Sequence, residues 1–182
     1  VPGANDSASG VAVLLELTRT LGKSDVLQGI GVDIVFFDGE EGEESQAGDY
    51  TNWKPLGSTY FAEHLKEIYG DKKPIGGIVL DMVCDRDLKI LKEHSSNQIA
   101  AIQTNDFWEI GKKVDNKVFT DEVGFEIHDD HTPLNQAGIP SFLVIDYDYP
   151  YFHTTNDTVD KCSAKSLETV ANAVLNYAYA VR

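Results

Sequence analysis

"DIVFFDGEEGEESQAGDYTNWKPLGS", residues 33–58, opens as an apolar run and closes in acids. Ile34, Val35, Phe36 and Phe37 read as the core of a buried strand, and Asp38, Glu40 and Glu41 follow at its exit. A strand that ends in carboxylates delivers negative charge to one edge of a sheet.

The elements around this stretch alternate. Val11, Leu14, Leu15, Thr18 and Leu21 recur at helical spacing after the polar Asn5-Asp6-Ser7, which predicts a helix over Ala8 to Leu21. The strand around Phe37 is expected over Gly29 to Phe37, a helix over Ser58 to Tyr69 and a strand over Gly77 to Met82. A short strand over Asp87 to Leu91 comes next, then a helix over Asn97 to Val114 with a break near Thr104-Asn105. Ser141 to Ile145 reads as a strand, "DYDYPYFHTTNDT" as a loop and Ala164 to Ala180 as a last helix. Strands alternating with helices predict an α/β layered fold with a largely parallel sheet, whose ligands gather at the carboxyl ends of the strands.

Composition narrows the function. The chain has 182 residues, 42% hydrophobic and 10% aromatic, enough for one substantial core and one domain. Its 15 basic and 30 acidic residues give a net charge of -15, which repels nucleic acid phosphates and anionic membranes. No apolar stretch is long enough to span a bilayer. The chain opens at Val1-Pro2-Gly3 rather than a Met, so its start is expected to be trimmed. Cys84 and Cys162 are too few for a disulfide framework and are expected to be buried, inert thiols.

Several strand ends carry chemistry. Asp38, Glu40 and Glu41 leave one, Asp81 ends another, and the Asp129-Asp130-His131 cluster and His153 flank a third. Carboxylates that converge repel one another unless they are protonated or share a cation. Zinc takes imidazole nitrogen and carboxylate oxygen, and a catalytic zinc keeps three protein ligands and one open position, so one Asp, one Glu and one His suffice. The neighbours Glu40 and Glu41 then divide the work, one binding metal and one moving protons.

"PGANDSASGVAVLLEL" at 2–17, "VFFDGEE" at 35–41, "GS" at 57–58, "VLDMV" at 79–83, "DDHTPLNQAGIP" at 129–140 and "HTTNDT" at 153–158 together resemble the zinc-dependent M28 metallopeptidase family, which also contains the animal-type glutaminyl cyclases. The resemblance runs in order over nearly the whole chain. It implies a three-layer α/β/α sandwich with a mostly parallel mixed sheet, of the zinc-exopeptidase kind, as one catalytic domain over 1–182. Asp6, Glu41 and His153 match the family's zinc ligands, and Glu40 its general acid/base. Asp81 matches either a ligand of a second zinc or a proton-relay aspartate, so one or two ions are implied. The family's further histidine comes from a His-x-Asp motif upstream of the position of Asp6, and its first strands lie there too, so an N-terminally incomplete domain is expected.

Two features are similar to the cyclase branch: the long acidic and aromatic insertion from Gly42 to Leu56, and Asp129, which matches a cyclase relay aspartate. Phe152 departs from it, since the cyclases carry Trp before the zinc histidine. The resemblance implies hydrolysis at peptide N-termini. Its alternatives are conversion of N-terminal glutamine to pyroglutamate, and a non-catalytic binding domain. A peptide is the expected partner and secreted or periplasmic residence the expected location.

Other readings compete at single positions. Asp6 serves equally as an N-cap of the first helix. Glu43, Glu44 and Asp49 read as a solvated acidic loop, Asp85 and Asp87 as turn residues, and His64, His94 and His128 as surface or structural groups. His131, with Asp130 beside it, is either held near a metal or packed beneath the site. Trp53 and Phe152 either line a substrate pocket or close the core. Asn156-Asp157-Thr158 has the form of a glycosylation sequon but fits better as part of the site loop.

Overall fold

The computed structural model describes residues 1–23, 29–41 and 53–181. In chain order the elements are α1 (Ala8–Leu21), α2 (Leu56–Glu63), α3 (Leu65–Tyr69), β1 (Gly77–Asp81), β2 (Ile90–Lys92), α4 (His94–Ile99), α5 (Ala101–Val114), β3 (Phe119–Val123), α6 (His131–Gln136), β4 (Ser141–Ile145) and α7 (Ala164–Ala180), with one 3-10 turn at Val159–Lys161 before the last helix.

β1 and β4 pair in parallel from Gly77 opposite Ser141 to Asp81 opposite Ile145. Both are runs of Ile, Val, Leu and Phe, as a strand covered on both faces requires. Their side chains alternate between two layers. Ile78, Leu80, Phe142 and Val144 pack with Val13 and Leu17 of α1, Phe107 and Trp108 of α5, and Val170 and Val174 of α7. On the opposite face Val79 meets Leu65, Phe61, Leu134 and Ile139, while Leu143 and Ile145 meet Met82 and Tyr149. Helices thus cover both faces of the strands, as expected for an α/β/α sandwich.

β2 and β3 form a second parallel pair. Among the described residues no ladder joins the two pairs. Instead, Leu143 N–H of β4 donates to Ser96 Oγ of α4 at 3.0 Å, so a side chain takes over a backbone bond. The densest packing is aromatic: Phe107 lies edge-on to Trp108, Phe119 and Tyr177 with ring centroids 5.5, 5.7 and 5.6 Å away. Such pairs contribute roughly 0.5–1.5 kcal/mol each beyond their buried area.

The expected elements are present with several differences. Gly29 to Phe37 is not a strand: it pairs with no strand among the described residues, and Val32 and Phe36 are 40% and 50% exposed. A strand exists through its ladder, and an apolar run alone does not supply one. Phe37 does reach the core, edge-on to Phe61. Of the insertion expected from Gly42 to Leu56, residues 42–52, with Glu43, Glu44 and Asp49, lie outside the described residues.

The helix expected over Asn97 to Val114 begins earlier, at His94, where the Glu93 carboxylate accepts from the N–H groups of Ser95 and Ser96. It breaks at Ala100 rather than near Thr104. Thr104 lies inside the second helix, where its hydroxyl donates to Ser96 O at 2.9 Å beside the Ala100 N–H at 3.1 Å, so it braces the break instead of making it. Similarly, the helix over Ser58 to Tyr69 divides at His64. The strand near Leu91 is shifted to Ile90–Lys92, and β3 and α6 are additional.

Cys84 and Cys162 are not free thiols. They form a disulfide, with Cα atoms 4.7 Å apart, inside the span such a bond bridges. It joins the segment after β1 to the one before α7, where Asp85 and Cys162 also make a backbone bridge.

α1 lies directly on β1 at Gly10, where a Cβ would stand 2.2 Å from Leu80 O. A helix interior otherwise disfavours glycine, so close approach explains the residue. Gly10→Ala is expected to lower stability by roughly 1–3 kcal/mol through overpacking, read as a lower urea midpoint; an unchanged or raised midpoint would show that α1 has room to move.

Candidate functional site

The site is assembled from loops at the carboxyl end of β1. The first loop, Gly3 to Ser7, precedes α1. Asn5 is fully buried there, its Oδ1 accepting from Cys84 N–H at 2.8 Å. Ser9 Oγ donates to Asn5 O at 2.6 Å and accepts from Val83 N–H at 2.9 Å. These bonds tie the loop to the chain just beyond Asp81. Asp6 is not the cap of α1, since Ser7 occupies that position. Its carboxylate faces His153 instead, with Oδ2 3.6 Å from Nε2.

The second loop carries Glu40 and Glu41. Gly39 turns the chain with φ of +70°, a conformation glycine takes without strain. The first turn of α2 latches onto it: Leu56 N–H donates to Gly39 O and Gly57 N–H to Asp38 O, both at 2.9 Å. A Cβ on Gly57 would stand 2.5 Å from that same Asp38 oxygen, which accounts for the glycine of the Gly57-Ser58 pair. Trp53 Nε1 donates to Glu40 O at 3.1 Å, so this indole holds the backbone of the glutamate pair.

The third loop follows β4. Turns between Tyr149 and Asp157 present His153 with φ of +57°, a region costly for a non-glycine residue and typical of functional constraint. Met82, the residue after Asp81, has φ of +47° and is also fully buried. Phe152 stacks on the His153 ring, centroids 3.8 Å apart, and so supports the imidazole directly.

Asp6, Glu41 and His153 meet here. One ligand atom from each lies within 4.8 Å of the others, and His153 Nε2 stands 2.8 Å from Glu41 Oε1. Zinc with bonds of ~2.0–2.2 Å to nitrogen and oxygen places tetrahedral ligand atoms ~3.4 Å apart. One imidazole and two carboxylates at these separations fit such an ion. Asp81 is not part of this trio.

Glu40, Asp81 and Asp129 form the buried side of the site. Burial pushes the Glu40 carboxyl up to about 9, with Asp129, Glu41, Asp130 and Asp6 adding repulsion. Asp129 rises to about 7, mainly through burial and then through Asp130. Asp6 rises to about 6 through burial and Glu41, against the favourable His153. Asp81 is raised well above the usual range by burial, then by Asp129, Asp6 and Glu40. Its Oδ1 is buried without a hydrogen bond. Without a cation, Glu40 holds its proton at neutral pH, Asp129 titrates there and Asp6 somewhat below it.

His131 does not join them. It is 1% exposed, with Nε2 3.3 Å from Glu93 Oε2. Burial would raise Glu93, but His131, Ser96 and Ser95 outweigh it and hold the group at about 2. Glu93 also accepts from Ile127 N–H at 3.0 Å, anchoring the approach to Asp129. His64 and His94 make local contacts to Tyr60 and Gln98, and His128 is exposed. Sequence reasoning missed the supports, namely Asn5, Ser9, Glu93 and Asp157. A polar residue flanked by motif residues was the available signal for the first two and the last; for Glu93 there was none.

Known proteins share this arrangement of chain. The glutaminyl cyclase of Bacteroides thetaiotaomicron is 32% identical, with a TM-score of 0.86 over 99% of this chain and 64% of its own. A Zn-dependent exopeptidase from Parabacteroides distasonis is 30% identical, with a TM-score of 0.83 over 97% of this chain and 63% of its own. Aminopeptidase YwaD of Bacillus subtilis is 27% identical over 98% of this chain and 37% of its own. The chain therefore spans less than two thirds of each of these relatives. The model of peptidase family M28 matches residues 1–178, a stretch that includes all three loops of the site, and the chain belongs to that family.

Proposed function

We propose that this chain supplies the zinc-binding and proton-transfer groups of an enzyme acting at peptide N-termini, with hydrolysis of the first peptide bond as its reaction. The convergence of Asp6, Glu41 and His153 beside the buried Glu40 carries this reading. These three residues are the zinc ligands. When bound, zinc supplies a Lewis acid that polarises the substrate carbonyl and makes water acidic near pH 7.

The remaining chemistry belongs to the protein. Glu40 takes a proton from the attacking water and delivers it to the departing amine nitrogen, so it needs a pKa near the working pH. Its raised value leaves room for a dication to bring it down towards neutrality. Asp81 and Asp129 share the proton load behind it. Asp81, outside the ligand trio, is assigned to proton relay in a one-zinc site; a second zinc would make it a ligand. Phe152 and Trp53, which brace His153 and Glu40, border the peptide's path.

Conversion of N-terminal glutamine to pyroglutamate is the second reading. It is favoured by the continuous buried set Glu40, Asp129 and Asp81, suited to moving a proton from the α-amine to leaving ammonia. The intact site weighs against a purely binding domain. Secreted or periplasmic residence is part of the proposal, supported by the Cys84–Cys162 disulfide, since such bonds persist in oxidising compartments. Among the described residues no helix is long and apolar enough to cross a membrane.

Glu40→Gln is expected to lower turnover by roughly 100- to 10,000-fold while zinc content stays at the wild-type level. Aminoacyl-arylamide hydrolysis is the readout for the first reading and ammonia release from Gln-peptides for the second. Full activity in the variant would exclude Glu40 as the proton carrier.

The same protons govern stability. Asp6, Asp129 and Glu40 have folded pKa values of about 6, 7 and 9, above their unfolded values, so their contribution is fully present in acid and is lost as pH rises towards the folded values. The melting temperature of chelator-treated protein should therefore fall between pH ~4 and ~9, and zinc should restore most at the alkaline end. A flat profile would mean that these carboxyls are not crowded in the metal-free protein.

A further inference from the structure

Asp157 is fully buried, yet its carboxylate belongs to none of the groups that meet at His153. Its oxygens accept from the backbone of the opposite loop. Oδ1 takes Asn5 N–H at 2.9 Å and the Tyr149 hydroxyl at 2.7 Å, and Oδ2 takes Asp6 N–H at 3.1 Å. Its own backbone joins in: Ala4 N–H donates to Asp157 O at 3.4 Å, and Asp157 N–H donates to Thr154 O at 3.2 Å, one residue after His153.

We infer that Asp157 is a positioning residue that locks the loop bearing Asp6 to the loop bearing His153, fixing the separation of two zinc ligands that come from opposite ends of the chain. This rests on the ligand assignment proposed above. Both loops are turns without regular secondary structure, and residues 3–7 and 149–157 are otherwise joined directly by one long backbone bond, Ala4 N–H to Asp157 O at 3.4 Å, and by packing. A buried carboxylate keeps its oxygens satisfied only while those donors stay in place, so it demands them in return. Partners one step behind metal ligands set ligand orientation, and their loss typically weakens metal binding by about 10- to 100-fold.

Asp157→Asn tests this with little change in shape. The amide turns one NH2 group towards either Asn5 N–H or Asp6 N–H, so one backbone donor loses its acceptor in either orientation. Tyr149→Phe is the comparison, because it removes a bond to the same carboxylate but leaves both loop contacts in place. Zinc affinity is measured by competition with a chromophoric chelator at a temperature where circular dichroism shows every variant folded. Amide hydrogen exchange at Asn5 and Asp6 is measured in the metal-free proteins.

The expected result is zinc binding at least about tenfold weaker in Asp157→Asn, with faster exchange at Asn5 or Asp6. Tyr149→Phe should lower the melting temperature yet keep zinc affinity within about twofold of wild type. Wild-type affinity and protected amides in folded Asp157→Asn protein would overturn the inference. Equal loss of affinity in both variants would also overturn it, reducing Asp157 to general packing. Failure of the wild-type protein to bind zinc would instead remove the ligand assignment, and the exchange rates alone would then decide whether Asp157 holds the loops together.

Discussion

Mutual repulsion among carboxylates is the constraint to which the rest of this molecule is fitted. Asp6, Glu40, Asp81 and Asp129 are raised by burial and by neighbouring carboxylates, Asp130 by burial alone, and Glu41 stands at the edge of the same group. Left to themselves, charges so close would push the loops apart or capture protons. Among the described residues His153 opposes Asp6 and His131 opposes Asp129 and Asp130, and the geometry around His153 is that of a cation site. A fold that concentrates acids in this way gains stability from what it binds, so ligand and structure cannot be treated separately.

Holding such loops in place falls to hydrogen bonds with backbone groups and to glycines rather than to counter-charges. Asn5 and Ser9 fasten the first loop to Val83 and Cys84, the start of α2 fastens the second, and Asp157 spans the first and third. Each uses backbone donors that have no partner in a helix or strand. That economy explains why so many polar residues near the site are almost wholly out of solvent: they complete the backbone where regular structure stops.

How much of this was legible depended on whether a signal was local. The helices around Leu14 and Val170 announce themselves by periodicity, because burial on one face leaves a repeat, and the strands around Leu80 and Val144 by short continuous apolar runs, because both faces are covered. Phe119–Val123 left no repeat, since only Phe119 of its residues is buried. Gly29 to Phe37 misled for the converse reason: its apolar run implied a ladder that the described residues do not provide. In the site, Asp6, Glu40, Glu41 and His153 stood inside dense motifs and were readable one by one. The roles of their supports were not: Asp157 stood in the site-loop motif, but its partners Asn5 and Asp6 lie far away in sequence, Glu93 reaches the distant Ile127 N–H besides its neighbours Ser95 and Ser96, and a backbone N–H has no letter in the code. The disulfide escaped similarly, as two cysteines separated by 78 residues reveal a bond only once the fold brings them together.

On the proposed reading, the likeness to both peptidases and cyclases follows from what the site would do with protons. Hydrolysis moves a proton from water to an amine, and cyclisation moves one from an amine to ammonia, so each needs a carboxyl that can lend and recover a proton beside a polarised carbonyl. Glu40 fits that demand in either case. The choice between them lies in which nucleophile reaches the carbonyl, and therefore in the shape of the substrate's path past Phe152 and Trp53. On that reading, Asp6, Glu41 and His153 and the carboxyls beside them would serve either reaction. What distinguishes the reactions is the covering of the site, and the residues that brace His153 and Glu40 are also the ones placed to shape it.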